Sequence, residues 1–370
     1  MLRAVCSQTD LYEAVQTVAR GVSGRSTQPV QNNICLETRG EKLHLVATDL
    51  EVISLEAVIE SREAESGAVT VPARLFAEVT GALPAADVVL RGDETNALHA
   101  ECGKAKYSIR GLAAADFERL PPLVDDTSFT MPQALLRTVI SQTRFAASRE
   151  ETRPILTGAL FALSANSMQI VATDRHRLAL RKVAVDLPLS EPRQAIVSSR
   201  ALGEVERILR EEGEEPATIS VSESQVQFVV DNITVGSRLI EGQFPNYQNV
   251  LPEAHEKCIT LEVDPFADAV RRAHIVARED GFRIFLRAAP GQVTITAQSA
   301  DVGQVEEEVP AELEGEEVEI AFNARYLLDV LAVIASPTVR RELCGPLNPC
   351  VVRAEAEGDY LYVLMALRAK

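Results

Sequence analysis

KLHLVATD at residues 42–49 reads again as SMQIVATD at 167–174 and, more loosely, as QVTITAQ at 292–298. Each run alternates apolar or β-branched residues with polar ones before a turn, the pattern of a half-buried strand. A second series keeps the same period: VPAR at 71–74 returns as VSSR at 197–200 and as FNAR at 322–325. Both series step by about 125 residues. That is far longer than a solenoid unit, which closes its core only against its neighbours, and long enough for a domain with a core of its own. The 370-residue chain is therefore expected to hold three similar domains in tandem, spanning 1–122, 127–252 and 255–370. The junctions fall at LPPLVDDTS (120–128) and VLPEAHEKC (250–258), where proline and acidic residues interrupt the periodicity.

Each repeat carries the same order of elements. A helix with apolar spacing near 3.6 comes first: DLYEAVQTVARGV (10–22), ALLRTVISQTRFA (134–146) and PFADAVRRAHIVA (265–277). The quoted strands follow, and then a second helix: PARLFAEVTGAL (72–83), SSRALGEVERIL (198–209) and NARYLLDVLAVI (323–334). KAKYSIRGL (104–112), ITVGSRLIEG (233–242) and DYLYVLMALR (359–368) close the units as further strands. Two helices against antiparallel strands in every unit place the fold in the α+β class.

Composition narrows the function classes. Hydrophobic residues make up 46% and charged residues 25%, ordinary for globular protein. The N-terminal MLRAVCSQTD lacks the apolar stretch of a signal peptide, and no run of 18 or more apolar residues is available to span a bilayer, so a cytoplasmic protein without membrane attachment is expected. Six cysteines lie scattered without a C-x-x-C pair, which fits reduced, buried thiols and no metal site. A net charge of −17 argues against a phosphate-binding surface until its distribution is examined. The six helical segments (7–25, 72–84, 131–149, 198–210, 264–278, 323–336) contain no lysine and sum to +5, all of their positive charge being arginine. If those helices share a surface, it is mildly basic within an acidic body; solvation of the fold by acidic loops explains the same imbalance equally well.

VATDRHRLAL at 171–180, followed by EGQFPNYQNVLP at 241–252, resembles the central-domain signature of the DNA polymerase III beta subunit family, the bacterial sliding clamps. The threefold repeat, the length and the C-terminal strand ending in MALRAK extend the resemblance over the whole chain. It implies three domains of the DNA clamp type, each two helices packed on antiparallel sheets, with six domains forming a ring in a head-to-tail homodimer. Twelve lining helices about 10 Å apart give a circle of axes roughly 38 Å across and a free bore of roughly 28 Å, room for duplex DNA and a layer of water. The implied function is that of a processivity factor. It encircles double-stranded DNA without sequence preference and tethers the DNA polymerase III catalytic subunit, the clamp loader, other polymerases and repair proteins through a short peptide motif. No catalytic residue, cofactor or metal is implied.

Carried over residue by residue, the resemblance makes Arg25, Arg74, Arg149, Arg153, Arg200, Arg278 and Arg283 face DNA, and Arg144 joins them from its place on the first helix of the second domain. The partner-peptide groove is expected from Leu156, Thr173, Arg175, His176, Arg177, Leu178, Pro245, Asn249, Val250, Val363, Leu364, Met365, Ala366, Leu367 and Arg368, with His176 and Arg177 as a polar rim. Arg175 stands where the family commonly has glycine, Asn249 where an arginine occurs, and Ala366 in place of a proline. The dimer seam is expected where Tyr107 and Ile109 of one chain meet Ile275 and Val276 of the other, which would cover an apolar sheet edge. Other readings are a specialised or antibiotic-resistant second copy of the clamp, a protein-binding scaffold that never encircles DNA, and a phosphate-acting enzyme using Asp49, Asp174 and His176. The last has neither a nucleophile nor a glycine-rich phosphate loop behind it.

Overall fold

The computed structural model describes residues 1–22, 28–124, 127–252, 255–343, 345, 348–354 and 358–367. Among them are six α-helices: α1 (Gln8–Val18), α2 (Ala73–Ala82), α3 (Gln133–Arg144), α4 (Ser199–Ile208), α5 (Val263–Ala277) and α6 (Ala324–Leu331). They fall two to a repeat, where the apolar periodicity predicts them. α1 begins at Ser7, whose hydroxyl accepts the Asp10 N–H at 3.0 Å, and it buries Leu11, Ala14, Val15 and Val18, one stripe at helical spacing. α6 begins in the same way, Asn323 capping the Arg325 N–H at 3.0 Å and Leu327, Val330 and Leu331 turning inward.

The strands of the described residues form three antiparallel sheets. The smallest runs Arg3–Ser7, Asp87–Gly92, Ala97–Cys102, Ala105–Arg110, so that Ala105–Arg110 is an edge. The second has eight strands and crosses a repeat boundary, because Ile53–Glu60 of the first repeat pairs with Ile233–Arg238 of the second, Leu55 opposite Val235. The third has twelve and crosses the next boundary, Arg177–Ala184 pairing with Tyr360–Leu364 so that Leu178 lies opposite Val363. Compact packing follows these sheets rather than the repeats: one unit comprises residues 1–137 and 200–239, the other 138–199 and 240–370. The expected domain limits fall in loops before Thr127–Pro132 and Lys257–Glu262, while the sheets join strands of different repeats.

Five of the six cysteines, Cys6, Cys35, Cys102, Cys258 and Cys350, are buried free thiols, and Cys344 lies outside the described residues. Burial pushes the Cys6 thiol up to about 12, so it packs as a small neutral group. Arg341 is only 1% exposed and lies between the rings of Phe266 and Phe322, at 5.3 and 4.8 Å, with no nitrogen or oxygen partner for its guanidinium.

In the first repeat the small sheet is tied to the eight-stranded one by an isolated bridge between Thr70 and Leu112, with both N–H to carbonyl distances 3.3 Å. Gly111 makes this approach possible. A Cβ there would sit 1.8 Å from the Thr70 carbonyl oxygen and 2.7 Å from that of Asn96. Gly111→Ala is expected to destabilise the protein by about 3 kcal/mol through forced backbone displacement, read as a lower urea midpoint; an unchanged midpoint would show that the bridge is dispensable.

Candidate functional site

The repeated Val-Ala-Thr-Asp run ends in a turn held by its own side chains. Thr173 Oγ1 donates to the Arg177 carbonyl at 2.7 Å and accepts the Arg175 N–H at 3.1 Å, while Asp174 Oδ1 accepts the N–H groups of His176 at 2.9 Å and Arg177 at 3.1 Å. The chain between them is forced left-handed, with φ of 80° at Arg175. Thr48 and Asp49 build a similar turn, one residue longer, in the first repeat, where Leu50 has φ of 60°. Left-handed backbone costs a side-chain-bearing residue about 1–2 kcal/mol, and the local hydrogen bonds offset that cost. This geometry explains why glycine suits position 175.

The turn aims Arg177 inward. Its Nε donates to Asp174 at 3.0 Å, one terminal nitrogen to Asp329 on α6 at 2.5 Å and the other to the Phe145 carbonyl just past α3 at 2.8 Å. The guanidinium also lies 4.3 Å from the Tyr326 ring centre and 5.4 Å from that of Phe145. Burial opposes its charge, but Tyr362, Asp329 and Asp174 together outweigh burial and hold its pKa above the usual arginine value. Tyr362, fully buried and donating to the Tyr326 carbonyl at 2.9 Å, has its own pKa raised, chiefly by burial.

Beside this network is a cavity of about 190 Å³ lined by Leu156, Thr173, Arg175, Arg177, Leu178, Pro245, Asn246, Tyr247, Val250, Val363 and Met365. Two of its lining residues, Leu178 and Val363, belong to a buried apolar cluster with Leu160, Val171, Leu180, Ile196 and Phe244, against which Ile155, Tyr247 and Val250 pack. A short 3₁₀ turn, Tyr247–Val250, capped by Asn246 accepting the Gln248 N–H at 3.2 Å, forms one wall. Such a surface suits an extended apolar side chain more than a reacting substrate.

Nine of the sequence-predicted groove residues meet here. His176 does not: its side chain is exposed, and its carbonyl accepts the Met365 N–H at 2.9 Å. Leu364 is wholly buried, because strand alternation turns it away from Val363. Leu367 is held by a backbone bond to Ala321 at 2.8 Å, and Ala366 and Asn249 also lie off the cavity. Arg368 lies outside the described residues. The expected polar rim is corrected as well, since the guanidinium of Arg177 is used up by internal partners. Asn246 and Tyr247 are additions. They sit within the quoted QFPNYQNV run, and an aromatic two residues after a proline in an otherwise polar stretch was the available signal; the Tyr247 hydroxyl accepts from Gln169 at 3.1 Å.

Of the predicted cationic positions, Arg74 has 95% of its side chain exposed and pairs with Glu78 at 3.2 Å. Arg149, Arg153 and Arg278 are exposed just beyond the ends of α3 and α5, and Arg144 is half-buried in the last turn of α3. Arg200 pairs with Asp49, whose other oxygen serves the turn. Arg283 is half-buried, 3.8 Å from Asp280. Arg25 lies outside the described residues.

At the predicted seam Tyr107 is 38% and Ile275 60% exposed, and Val276 is half-buried. Ile109 is 3% exposed, so its side chain packs within its own chain and only its backbone lies on the Ala105–Arg110 edge. A second edge appears that the sequence reading missed. The strand Gly303–Glu314 pairs with Gly291–Ser299 along residues 303–311 but with Lys257–Glu262 only from Ala311 onward, so 303–310 present one unpaired side among the described residues.

Comparison with known proteins follows this geometry closely. Residues 2–121, 130–246 and 248–368 match the N-terminal, central and C-terminal domains of the DNA polymerase III beta subunit. The beta sliding clamp of Bacillus subtilis is 31% identical over 369 residues, 97% of both chains. A crystal structure of the Pseudomonas aeruginosa DNA polymerase sliding clamp with ligand covers 100% of both chains with a TM-score of 0.93 at 30% identity. The same organism's clamp bound to griselimycin superposes at 0.94, also at 30% identity and 100% coverage of both chains.

The Arg177 network separates buried from exposed pairing. Arg177→Leu leaves Asp174 and the Phe145 carbonyl without their partner and is expected to cost about 3–5 kcal/mol of unfolding free energy. Asp329→Asn, at a partner 43% exposed, should cost no more than about 1 kcal/mol. Equal losses in chemical denaturation would refute that ranking.

Proposed function

The chain belongs to the DNA polymerase III beta subunit family, and from that premise we propose that it works as a DNA sliding clamp. It is a non-catalytic processivity factor that closes into a homodimeric ring around duplex DNA. The observation that carries the reading is the match of all three repeats, in order and over nearly the whole chain, to the three domains of the clamp. Two copies of domains 1–122, 127–252 and 255–370 supply the six units of the ring.

Retention on DNA is then topological, and the arginines hold the duplex without gripping it. Arg74, Arg149, Arg153, Arg200 and Arg278 carry charge that meets phosphates through water, with no base readout. Arg74 and Arg200 are already paired with Glu78 and Asp49, which moderates their pull. A modest attraction of this kind suits a ring that has to move.

Polymerases, the loader and repair proteins engage the cavity between Leu178, Pro245, Val250, Val363 and Met365 through a short peptide. An apolar floor and a methionine accept varied anchor side chains, while Asn246 and Arg175 offer polar contacts at the mouth. That a related clamp was solved with griselimycin bound supports a ligand-taking groove in this fold.

The seam joins the Ala105–Arg110 edge of one copy to the open 303–310 edge of the other. Lys104, Lys106 and Arg110 meet Glu306 and Glu308, and Tyr107 covers the exposed Ile275. Backbone groups on two open edges would pair across it, which also removes two aggregation-prone templates.

Loaded protein is expected to stay on closed circular DNA and to leave once the circle is cut; retention after cutting would contradict a topological link. Tyr107→Asp with Ile275→Asp should convert dimer to monomer in gel filtration, and an intact dimer would place the seam elsewhere. Val250→Asp should weaken a peptide bearing Gln, Leu and Phe anchors by roughly 30-fold, about 2 kcal/mol, in a fluorescence titration with the dimer unaffected.

A further inference from the structure

The second helix of each repeat carries arginine at its second position: Arg74 in α2, Arg200 in α4 and Arg325 in α6. The first two belong to the predicted DNA-facing set. The third is absent from that set, and it has the most elaborate local support of the three.

Arg325 is exposed, and its guanidinium lies 4.9 Å from the centre of the Phe282 ring. The imidazole of His274, on α5, stacks on the same phenyl ring at 5.2 Å and 11°. Phe282 is held in place by its backbone. Gly281 and Phe282 are both left-handed, with φ of 63° and 64°, and Phe282 is tied at both ends, its N–H donating to the Ala277 carbonyl at 2.8 Å and its carbonyl accepting the Ala324 N–H at 2.8 Å. A bulky aromatic in that conformation is strained, and strain retained by a tightly bonded loop points to a role for the side chain it aims. The loop also carries Arg278 and Arg283. Burial, then the nearby charges of Arg278 and Arg325, lower the pKa of His274, so near neutral pH the ring meets Phe282 uncharged.

We propose that Arg325 is a further phosphate-contacting residue of the clamp bore, and that Phe282, backed by His274, positions it. A guanidinium held against a ring by cation–π attraction still has N–H donors with which to meet an anion. It also loses less side-chain freedom on contact than a loose arginine does. The ligand is the sugar-phosphate backbone of duplex DNA. No base is read, because a single stacked cation at a helix edge has no paired donor-acceptor pattern to match. The assignment rests on the clamp reading above.

The test is equilibrium binding of the full-length protein to a short fluorescein-labelled duplex, followed by anisotropy between about 50 and 200 mM salt. Arg325→Gln is expected to lower affinity roughly eightfold near 0.1 M salt and to reduce the log–log salt slope by about 0.9, the loss of one phosphate contact. Phe282→Leu keeps the charge, so the slope should stay while affinity falls about threefold; Phe282→Tyr should restore it. Gel filtration and thermal melting establish that each variant remains a folded dimer. Parent-like affinity and slope in Arg325→Gln, with Arg278→Gln impaired, overturn the assignment alone. Parent-like behaviour of Arg325→Gln, Arg278→Gln and the Arg149→Glu Arg153→Glu double variant together overturns the DNA-facing reading itself. Full affinity in Phe282→Leu removes the positioning role.

Discussion

Every strand has two sides of backbone donors and acceptors, and an edge left open in water is both unsatisfied and adhesive. Much of this protein follows from how those edges are closed. Ile53–Glu60 is completed by Ile233–Arg238, and Arg177–Ala184 by Tyr360–Leu364. Repeats that are separate in sequence thereby become continuous sheets. The second junction sets the groove: register places Val363 opposite Leu178 and brings Met365 to His176, so a C-terminal strand builds one wall of a cavity whose other walls come from the preceding repeat. Two of the edges left open, Ala105–Arg110 and residues 303–310, carry opposite charge and belong to the proposed seam.

Two buried arginines show how differently the fold treats a charge. Arg177 satisfies its guanidinium with two carboxylates and a carbonyl and stacks on Tyr326, so it serves as the polar centre on which the Thr173–Asp174 turn, the end of α3 and α6 converge. Arg341 is buried against Phe266 and Phe322, compensated among the described residues by those rings and by the Cys350 thiol, whose rise in pKa on burial it opposes. The first arrangement fixes geometry beside the cavity; the second fills core volume.

The repeat gives the same local device different uses. Asp49 and Asp174 each cap the turn that follows their strand, yet the free oxygen of Asp49 holds Arg200 from the second repeat, while that of Asp174 holds Arg177 three residues away. At the matching arginine of the third repeat, Arg325 rests on Phe282 instead of on a carboxylate. Related motifs thus keep similar turns and helix starts while the partners of their side chains diverge.

The threefold repeat, the six helices, the VATD turns and the α+β class were all legible in the chain, because periodicity and capping act over a few residues and need no knowledge of distant neighbours. Most of the cavity lining was legible as a set of motifs, nine of the named residues meeting around it. Strand parity across the Arg177–Leu364 pairing was not legible, and it sends Leu364 to the core and leaves His176 outside. That the Ile109 side chain turns inward was not legible for a related reason, since alternation alone does not say which face of an edge strand is covered. The free side of residues 303–310 exists only because two neighbours pair with different halves of one long strand. Local chemistry along the chain determined the elements and their turns; which face each one buries, which edge stays open and which partner each arginine finds were decided by contacts between residues far apart in sequence.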